Sequence, residues 1–407
     1  MVSAYLPRTL EPVLARAARE FPAIVLTGPR QSGKTTLLQR RFGKSHGYVS
    51  LEPPDVRAAA AADPRGFLEL WLPPVILDEI QYAPGLLPYI KERIDARRSR
   101  TGQYLLSGSQ NLLLMQQVAE SLAGRAAVLR LLPLSRREIE GEPQTRLRWD
   151  RGARKPFGSQ LPTGAFWDFA LRGGYPELAV HPERDPVLWL ASYVQTYLER
   201  DVRTLRQVGD LTQFQIFLRA LAARSGQLLN LTDLGRDLGL ATNTVKAWVS
   251  VLEATHQIVI LRPYYANVTK RLVKTPKIYF SDTGMLCYLT GLKDARHAAA
   301  GPMAGAIVET AVVAEVIKSA WHRGEEPRVS FWRTATGDEV DLVVETSTGL
   351  VPVEVKATAT PVPAMARGIV RLQGLVSKVR SDGYVVHLGA AALPLARGVT
   401  ALPFAWL

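Results

Sequence analysis

The chain has 407 residues, 47% hydrophobic and 21% charged, enough for two to four globular domains with a core in each. Its single cysteine, Cys287, excludes an intrachain disulfide and a cysteine-built zinc site, and fits a reducing compartment. The net charge of +13 favours polyanionic partners, nucleic acid first, through phosphate neutralisation and counterion release, although a basic proteome gives the same sum.

The opening residues lack the apolar core of a signal peptide. No apolar run approaches the ~18–20 residues of a membrane span, so a cytoplasmic protein without membrane contact is expected. Over residues 1–140, short apolar runs at 23–26, 74–77 and 104–106 alternate with helical stretches, which predicts a buried parallel sheet. Directly after the first run, Gly28-Pro29-Arg30-Gln31-Ser32-Gly33-Lys34-Thr35 matches the P-loop pattern G-x-x-x-x-G-K-[ST], and Thr36 leads into a helical run. The glycines let successive N–H groups face phosphate oxygens, and the helix start adds partial positive charge. ATP and Mg²⁺ are therefore the expected ligands, with Lys34 on the β- and γ-phosphates and Thr35 on the metal.

The second run delivers Asp78 and Glu79 to a strand end. Asp78 is expected to hold magnesium through water, and Glu79 to polarise the attacking water as a general base. The third run ends in Gly108-Ser109-Gln110-Asn111. Ser109, then Asn111, are candidates for sensing the γ-phosphate, with plain turn chemistry as the alternative. Arg125 and Arg200 are candidates for an arginine finger supplied in trans, against the alternative of ordinary salt bridges.

Residues 141–164, with Arg146, Arg148, Arg151, Arg154 and Lys155, read as a mobile basic loop or linker, and residues 165–225 as a helical lid. In 226–290, a capped helix ending in a Gly turn over 231–240 and a second helix over 242–253 predict a winged helix-turn-helix. Val245, Trp248, Val249 and Leu252 share the core face, leaving Asn243, Thr244, Lys246 and Ala247 to address DNA. From Arg262 to Lys277 there are basic residues and no acids. Lys270, Arg271, Lys274 and Lys277 form a candidate phosphate clamp, with Tyr264 and Tyr265 as stacking faces. Winged helices also serve as protein-contact modules.

Residues 300–407 return to mixed α/β. Glu309 lies in an Ala/Val-rich helix over 304–320. Asp341, Glu354 and Lys356 lie on two strands joined by a turn at Thr348-Gly349, and alternation puts Glu354 and Lys356 on one face. Asp341 and Glu354 are candidate Mg²⁺ ligands, Lys356 a water-orienting cation, and Glu309 a further carboxylate. The spacing resembles the restriction-endonuclease-like PD-(D/E)xK core, with Val340-Asp341 in place of Pro-Asp.

The ordered set of motifs runs over nearly the whole chain. It comprises the P-loop, Leu77-Asp78-Glu79-Ile80-Gln81, Leu106-Ser107-Gly108-Ser109, Ser121-Leu122-Ala123-Gly124-Arg125, Pro133-Leu134-Ser135, Gly173-Gly174-Tyr175-Pro176-Glu177, Glu199-Arg200-Asp201-Val202, Tyr279-Phe280-Ser281-Asp282-Thr283-Gly284, Gly337-Asp338-Glu339-Val340-Asp341 and Glu354-Val355-Lys356. This set resembles bacterial and archaeal AAA-type P-loop ATPases whose C-terminal domain of unknown function contains a nuclease-like fold. The resemblance implies an α/β architecture: a P-loop NTPase with a parallel sheet, a helical lid, a winged helix-turn-helix, and a C-terminal α/β nuclease-like domain. It also implies DNA as a partner and a homo-oligomer, a hexameric ring being one form, with an arginine finger in trans. Three functions stay open: a DNA motor or remodeller acting on branched DNA among other forms, an ATP-gated metal-dependent nuclease, and a nucleotide-switched interaction protein.

Overall fold

The computed structural model of the chain describes residues 5–109, 118, 120–153, 164–198, 211–264, 274–380 and 382–407. Five strands, β1 Ala23–Gly28, β2 Gly47–Ser50, β3 Val75–Asp78, β4 Tyr104–Ser109 and β5 Ala126–Arg130, form a parallel sheet in the order β2-β3-β4-β1-β5. Every residue of β1 and β3 is buried. A sheet covered on both faces needs apolar side chains at each position, so these strands read as unbroken apolar runs. Alternation still sorts the faces. Ala23 and Val25 pack with Leu77, Ile90 and Leu106, whereas Ile24 and Leu26 pack with Leu10, Leu37 and Ile76. Parallel register puts Gly28 beside Ser109 and brings Asp78 to the same edge, where ligands bind in open α/β sheets. Strand β2 escapes an apolar-run search because it is short, half polar and only partly buried.

Within the expected mobile linker over 141–164, residues 141–153 are anchored by a few side chains while most of them stay exposed or half-buried. Leu147 and Trp149 are buried, and Arg323 holds Asp150 at 2.9 Å. Two large apolar residues outweigh the turn residues around them.

Helices Ala165–Arg172, Pro176–Val180, Pro186–Tyr193 and Leu211–Ala222 form the middle of the chain. The Asn230 side chain accepts from the Thr232 and Asp233 N–H groups and starts helix Leu231–Leu238; Gly239, at φ 66°, closes it. Helix Thr242–Ala254 buries Val245, Trp248, Val249 and Leu252. The Trp248 ring meets Phe214 and Phe217 edge-on at 5.3 and 5.2 Å. An antiparallel pair follows, β6 Ile258–Leu261 and β7 Lys277–Phe280. The Asp282 carboxylate accepts from the Gly174 N–H at 2.7 Å, and a Cβ on Gly173 would lie 2.2 Å from its Oδ1. Two of the motifs, Gly-Gly-Tyr-Pro and Ser-Asp-Thr-Gly, thus join two segments of the fold.

The last part runs helix Ala304–Trp321, β8 Val329–Arg333, β9 Glu339–Thr346, β10 Gly349–Lys356, helix Arg367–Leu375, β11 Gly383–His387, β12 Leu393–Ala396 and β13 Val399–Pro403. The sheet order is β12-β13-β11-β10-β9-β8. Strands β8, β9 and β10 form an antiparallel meander, and β10, β11 and β13 run parallel. Helix Ala304–Trp321 buries twelve of its residues, because it lies between β10 on one side and β7 with helix Thr283–Leu289 on the other. A helix covered on most sides has no need of a polar face, hence its run of Ala and Val. One cluster of buried residues extends from Leu132 to Leu407 and unites the middle and C-terminal parts. No helix among the described residues is long and apolar enough to cross a membrane.

Candidate functional site

The P-loop leaves β1 at Gly28 (φ 150°) and enters helix Lys34–Phe42 through Gly33 (φ 91°). A Cβ on Gly28 would lie 2.1 Å from the Leu131 carbonyl oxygen, so only glycine fits there. Lys34 is buried, and its Nζ donates to the Gly28 and Pro29 carbonyls at 3.1 and 2.9 Å. The Ser32 hydroxyl is buried and has no hydrogen-bond partner among the described residues. Thr35 Oγ1 donates to Asp78 Oδ2 at 2.9 Å. Asp78 also accepts from Tyr48 at 3.1 Å and from Ser107. Burial, then the Asp78 charge, pushes the Tyr48 phenol up to about 12, so it remains a donor at neutral pH.

Glu79 has φ 56°, a conformation that costs energy for any residue with a Cβ. The Gln81 amide donates to its carboxylate, and Gln81 Oε1 is buried without a partner among the described residues. From the N-terminal segment, Arg8 donates to the Ser32 and Leu132 carbonyls at 2.9 and 2.7 Å and pairs with the fully buried Glu138 at 3.2 Å. Burial alone would raise the Glu138 carboxyl, but Arg8 and His322 outweigh it and hold it well below the usual range. Over the loop, Tyr193 donates to the Arg30 carbonyl at 3.4 Å, and Gln257 Nε2 donates to the Tyr193 hydroxyl at 3.1 Å.

The motif residues Gly28 to Thr36 and Asp78 therefore surround one edge of the sheet, with Glu79 next in chain. Sequence reasoning missed Arg8, Tyr48, Ser107, Gln81 and Tyr193. Ser107 carried a signal, since strand alternation puts it on the same face as Ser109; Arg8 and Tyr193 reach the loop only through long-range packing. Asn111 and Arg200 lie outside the described residues, as does the side chain of Ser109. Arg125 stands at the start of β1, where its carbonyl accepts from the Ala23 N–H, and its guanidinium grips Asp95 at 2.7 and 2.9 Å. It is thus at the opposite end of the sheet from its own P-loop, so any role as a finger is toward another copy.

Strands β9 and β10 bring the C-terminal candidates together. The Val355 N–H donates to Asp341 Oδ2 at 2.9 Å, and Lys356 Nζ donates to Glu354 Oε1 at 2.6 Å. Glu309 joins from helix Ala304–Trp321 and accepts from the Tyr279 hydroxyl. The unexpected member is Lys277, the first residue of β7. Its Nζ lies 2.9 Å from Glu309, 2.6 Å from Glu339 and 3.5 Å from Asp341. Burial, then the Asp341 charge, raises the Glu309 and Glu354 carboxyls. Burial works against the Lys277 charge, but the surrounding carboxylates outweigh it and raise the ammonium. Among the described residues no group of three or more His, Cys, Asp or Glu is disposed to hold a metal ion. Of the expected Mg²⁺ pair, Asp341 has the Lys277 ammonium at 3.5 Å and Glu354 that of Lys356 at 2.6 Å.

Lys277 is also lost from the candidate phosphate clamp, being only 3% exposed. Tyr264, an expected stacking face, is half-buried: its N–H donates to the Phe331 carbonyl at 2.6 Å and its side chain packs against the C-terminal core. Asn243, Lys246 and Lys274 are exposed and Thr244 is half-buried. Tyr265, Lys270 and Arg271 lie outside the described residues.

Residues 20–140 match a family model described as an AAA domain. Residues 163–296 and 304–407 match two models described as domains of unknown function, DUF8612 and DUF4143. Over 395 residues the chain is 32% identical to the uncharacterized protein Rv2008c of Mycobacterium tuberculosis, and equally to the uncharacterized protein Mb2031c of Mycobacterium bovis. Each alignment covers 96% of this chain and 82% of the relative. A solved structure, the Walker-type ATPase PABY2304 of Pyrococcus abyssi, overlaps with a TM-score of 0.45 at 15% identity, covering 71% of this chain and 99% of that one.

Proposed function

This chain is a P-loop ATPase of the family that includes the two mycobacterial proteins, and we propose that it couples ATP hydrolysis to the handling of DNA. One observation carries the DNA reading. Helix Thr242–Ala254 is anchored by Val245, Trp248, Val249 and Leu252, while Asn243 and Lys246 in its first turns face solvent. A recognition helix is presented to the major groove in this way. The steps from the Arg30 carbonyl through Tyr193 to Gln257 give the nucleotide state a route to the unit that carries this helix.

In this reading the P-loop N–H groups hold the phosphates, Lys34 neutralises β- and γ-phosphate charge, and Thr35 and Asp78 hold Mg²⁺. The residues fit that ion and its nucleotide: Thr35 and Asp78 are 2.9 Å apart, and Ser32 offers an unmatched buried hydroxyl. Bound magnesium supplies positive charge to the phosphate oxygens. Glu79 takes the proton of the attacking water once Gln81 releases it. A ring of copies, with Arg125 or Arg200 as the finger in trans, completes the reading.

The C-terminal part is read as nuclease-like in topology, a helix, three antiparallel strands, a helix and a parallel strand, holding DNA without cutting it. ATP-gated cleavage is the second reading, favoured by the convergence of Glu309, Asp341, Glu354 and Lys356. The test uses the protein, Lys34→Ala, Asp341→Ala and Lys356→Ala with linear, forked and four-way DNA, with and without ATP and Mg²⁺. The expected result is phosphate release stimulated by DNA, abolished in Lys34→Ala, with all strands intact. No stimulation by any DNA form overturns the DNA reading in favour of a nucleotide-switched interaction protein. Cleavage lost in Asp341→Ala and Lys356→Ala makes the chain a gated nuclease.

A further inference from the structure

The geometry points to Lys277 as a built-in cation that takes the place of a divalent metal in the C-terminal carboxylate cluster and excludes it while β7 is docked. This inference is independent of whether DNA is the partner.

Lys277 belongs to the ribbon β6–β7, not to the C-terminal sheet. Antiparallel pairing to Leu261, and a bridge to Leu228, fix the strand that carries it. The ribbon is itself tied to the C-terminal sheet by a bridge between Pro263 and Phe331. Lys277 thus enters the cluster on a strand paired on both edges, beside a segment bridged to the C-terminal sheet. Its Nζ reaches carboxylates from three positions: Glu309 on the long helix, and Glu339 and Asp341 on β9, at 2.9, 2.6 and 3.5 Å. A hard divalent ion held by the same oxygens would need that position.

Charge leads to the same conclusion. The four carboxylates Glu309, Glu339, Asp341 and Glu354 face three cations, Lys277, Lys356 and Arg333. The cluster is close to neutral as it stands, and a divalent ion would bring in charge with little left to balance it. The donor set is largely committed as well. Asp341 Oδ2 accepts from the Val355 N–H, Glu309 Oε1 from Tyr279 and Lys277, and Glu354 Oε1 from Lys356. Glu354 Oε2 is the buried carboxylate oxygen here without a partner among the described residues.

The experiment titrates nucleotide-free full-length protein with Mn²⁺ and follows loss of the free-ion electron paramagnetic resonance signal. The wild type is expected to bind no Mn²⁺ that depends on Asp341, up to on the order of 1 mM. Lys277→Met is expected to gain one equivalent, removed again in Lys277→Met with Asp341→Asn. Lys277→Arg, which keeps a cation, is expected to behave as the wild type. Wild-type binding that Asp341→Asn abolishes overturns the inference, as does a folded Lys277→Met protein that gains nothing. Circular dichroism establishes folding. If Lys277→Met does not fold, the comparison of wild type with Asp341→Asn still decides, because a cluster open to metal shows an Asp341-dependent site without any change at Lys277.

Discussion

Asp78 accepts from three hydroxyls on three different segments, Thr35, Tyr48 and Ser107, whereas its neighbour Glu79 sits at φ 56° with its carboxylate on Gln81. Adjacent acids therefore stand in different surroundings: one is fixed by three hydroxyls, the other lies at positive φ with an amide on its carboxylate. Glu79→Gln is expected to keep nucleotide binding and to slow phosphate release by about 10²-fold or more, the usual worth of a general base. Binding of a fluorescent nucleotide and steady-state phosphate release separate the two effects. Glu138 belongs to the same scale. Its carboxyl titrates well below its unfolded range, so its contribution to stability is present above about pH 4.5 and is lost as the pH falls. Glu138→Gln is expected to lower the melting temperature at neutral pH and to flatten its fall between about pH 5 and pH 3, read by thermal melts across that window.

At the scale of elements, local patterns worked where one run of residues contains its own reason to fold. The strand before the P-loop, the glycines at φ 150° and 91°, and the cap at Asn230 follow from contiguous residues. Helix Thr242–Ala254 showed its buried face in the spacing of Val245, Trp248, Val249 and Leu252. Trp248→Ala is expected to cost about 3–5 kcal/mol, measured by denaturant unfolding, because the ring fills the space between Phe214 and Phe217. Lys246→Ala on the opposite face is expected to leave stability unchanged. It is expected to weaken DNA binding evenly across sequences, with a salt slope smaller by about 1 if Lys246 meets a phosphate. Within the basic stretch 262–277, Lys277 departs from the expected clamp because charge says nothing about direction: Lys274 is exposed and Lys277 is buried three residues later.

For the whole molecule, the cluster from Leu132 to Leu407 joins the middle and C-terminal parts in one packed core, which predicts that they unfold together. The Phe404 ring packs edge-on against Phe166 at 4.9 Å, and Arg136 donates to the Ala405 carbonyl at 2.8 Å. A chain cut after residue 300 is expected to lose the cooperative transition of the middle helices, not only that of the missing sheet, as followed by calorimetry. By itself the amino-acid sequence determined the P-loop, the acid pair after β3 and the face of helix Thr242–Ala254, since each is written in neighbouring residues through glycine geometry, apolar runs and helical spacing. Only the tertiary structure decided that Arg8 supports the loop, that Arg125 faces away from it, and that Lys277 stands among Glu309, Glu339 and Asp341. Those partners lie far apart along the chain, as Arg8 and Glu138 do, and what pairs them is the need of a buried charge for an opposite one, which no local period records.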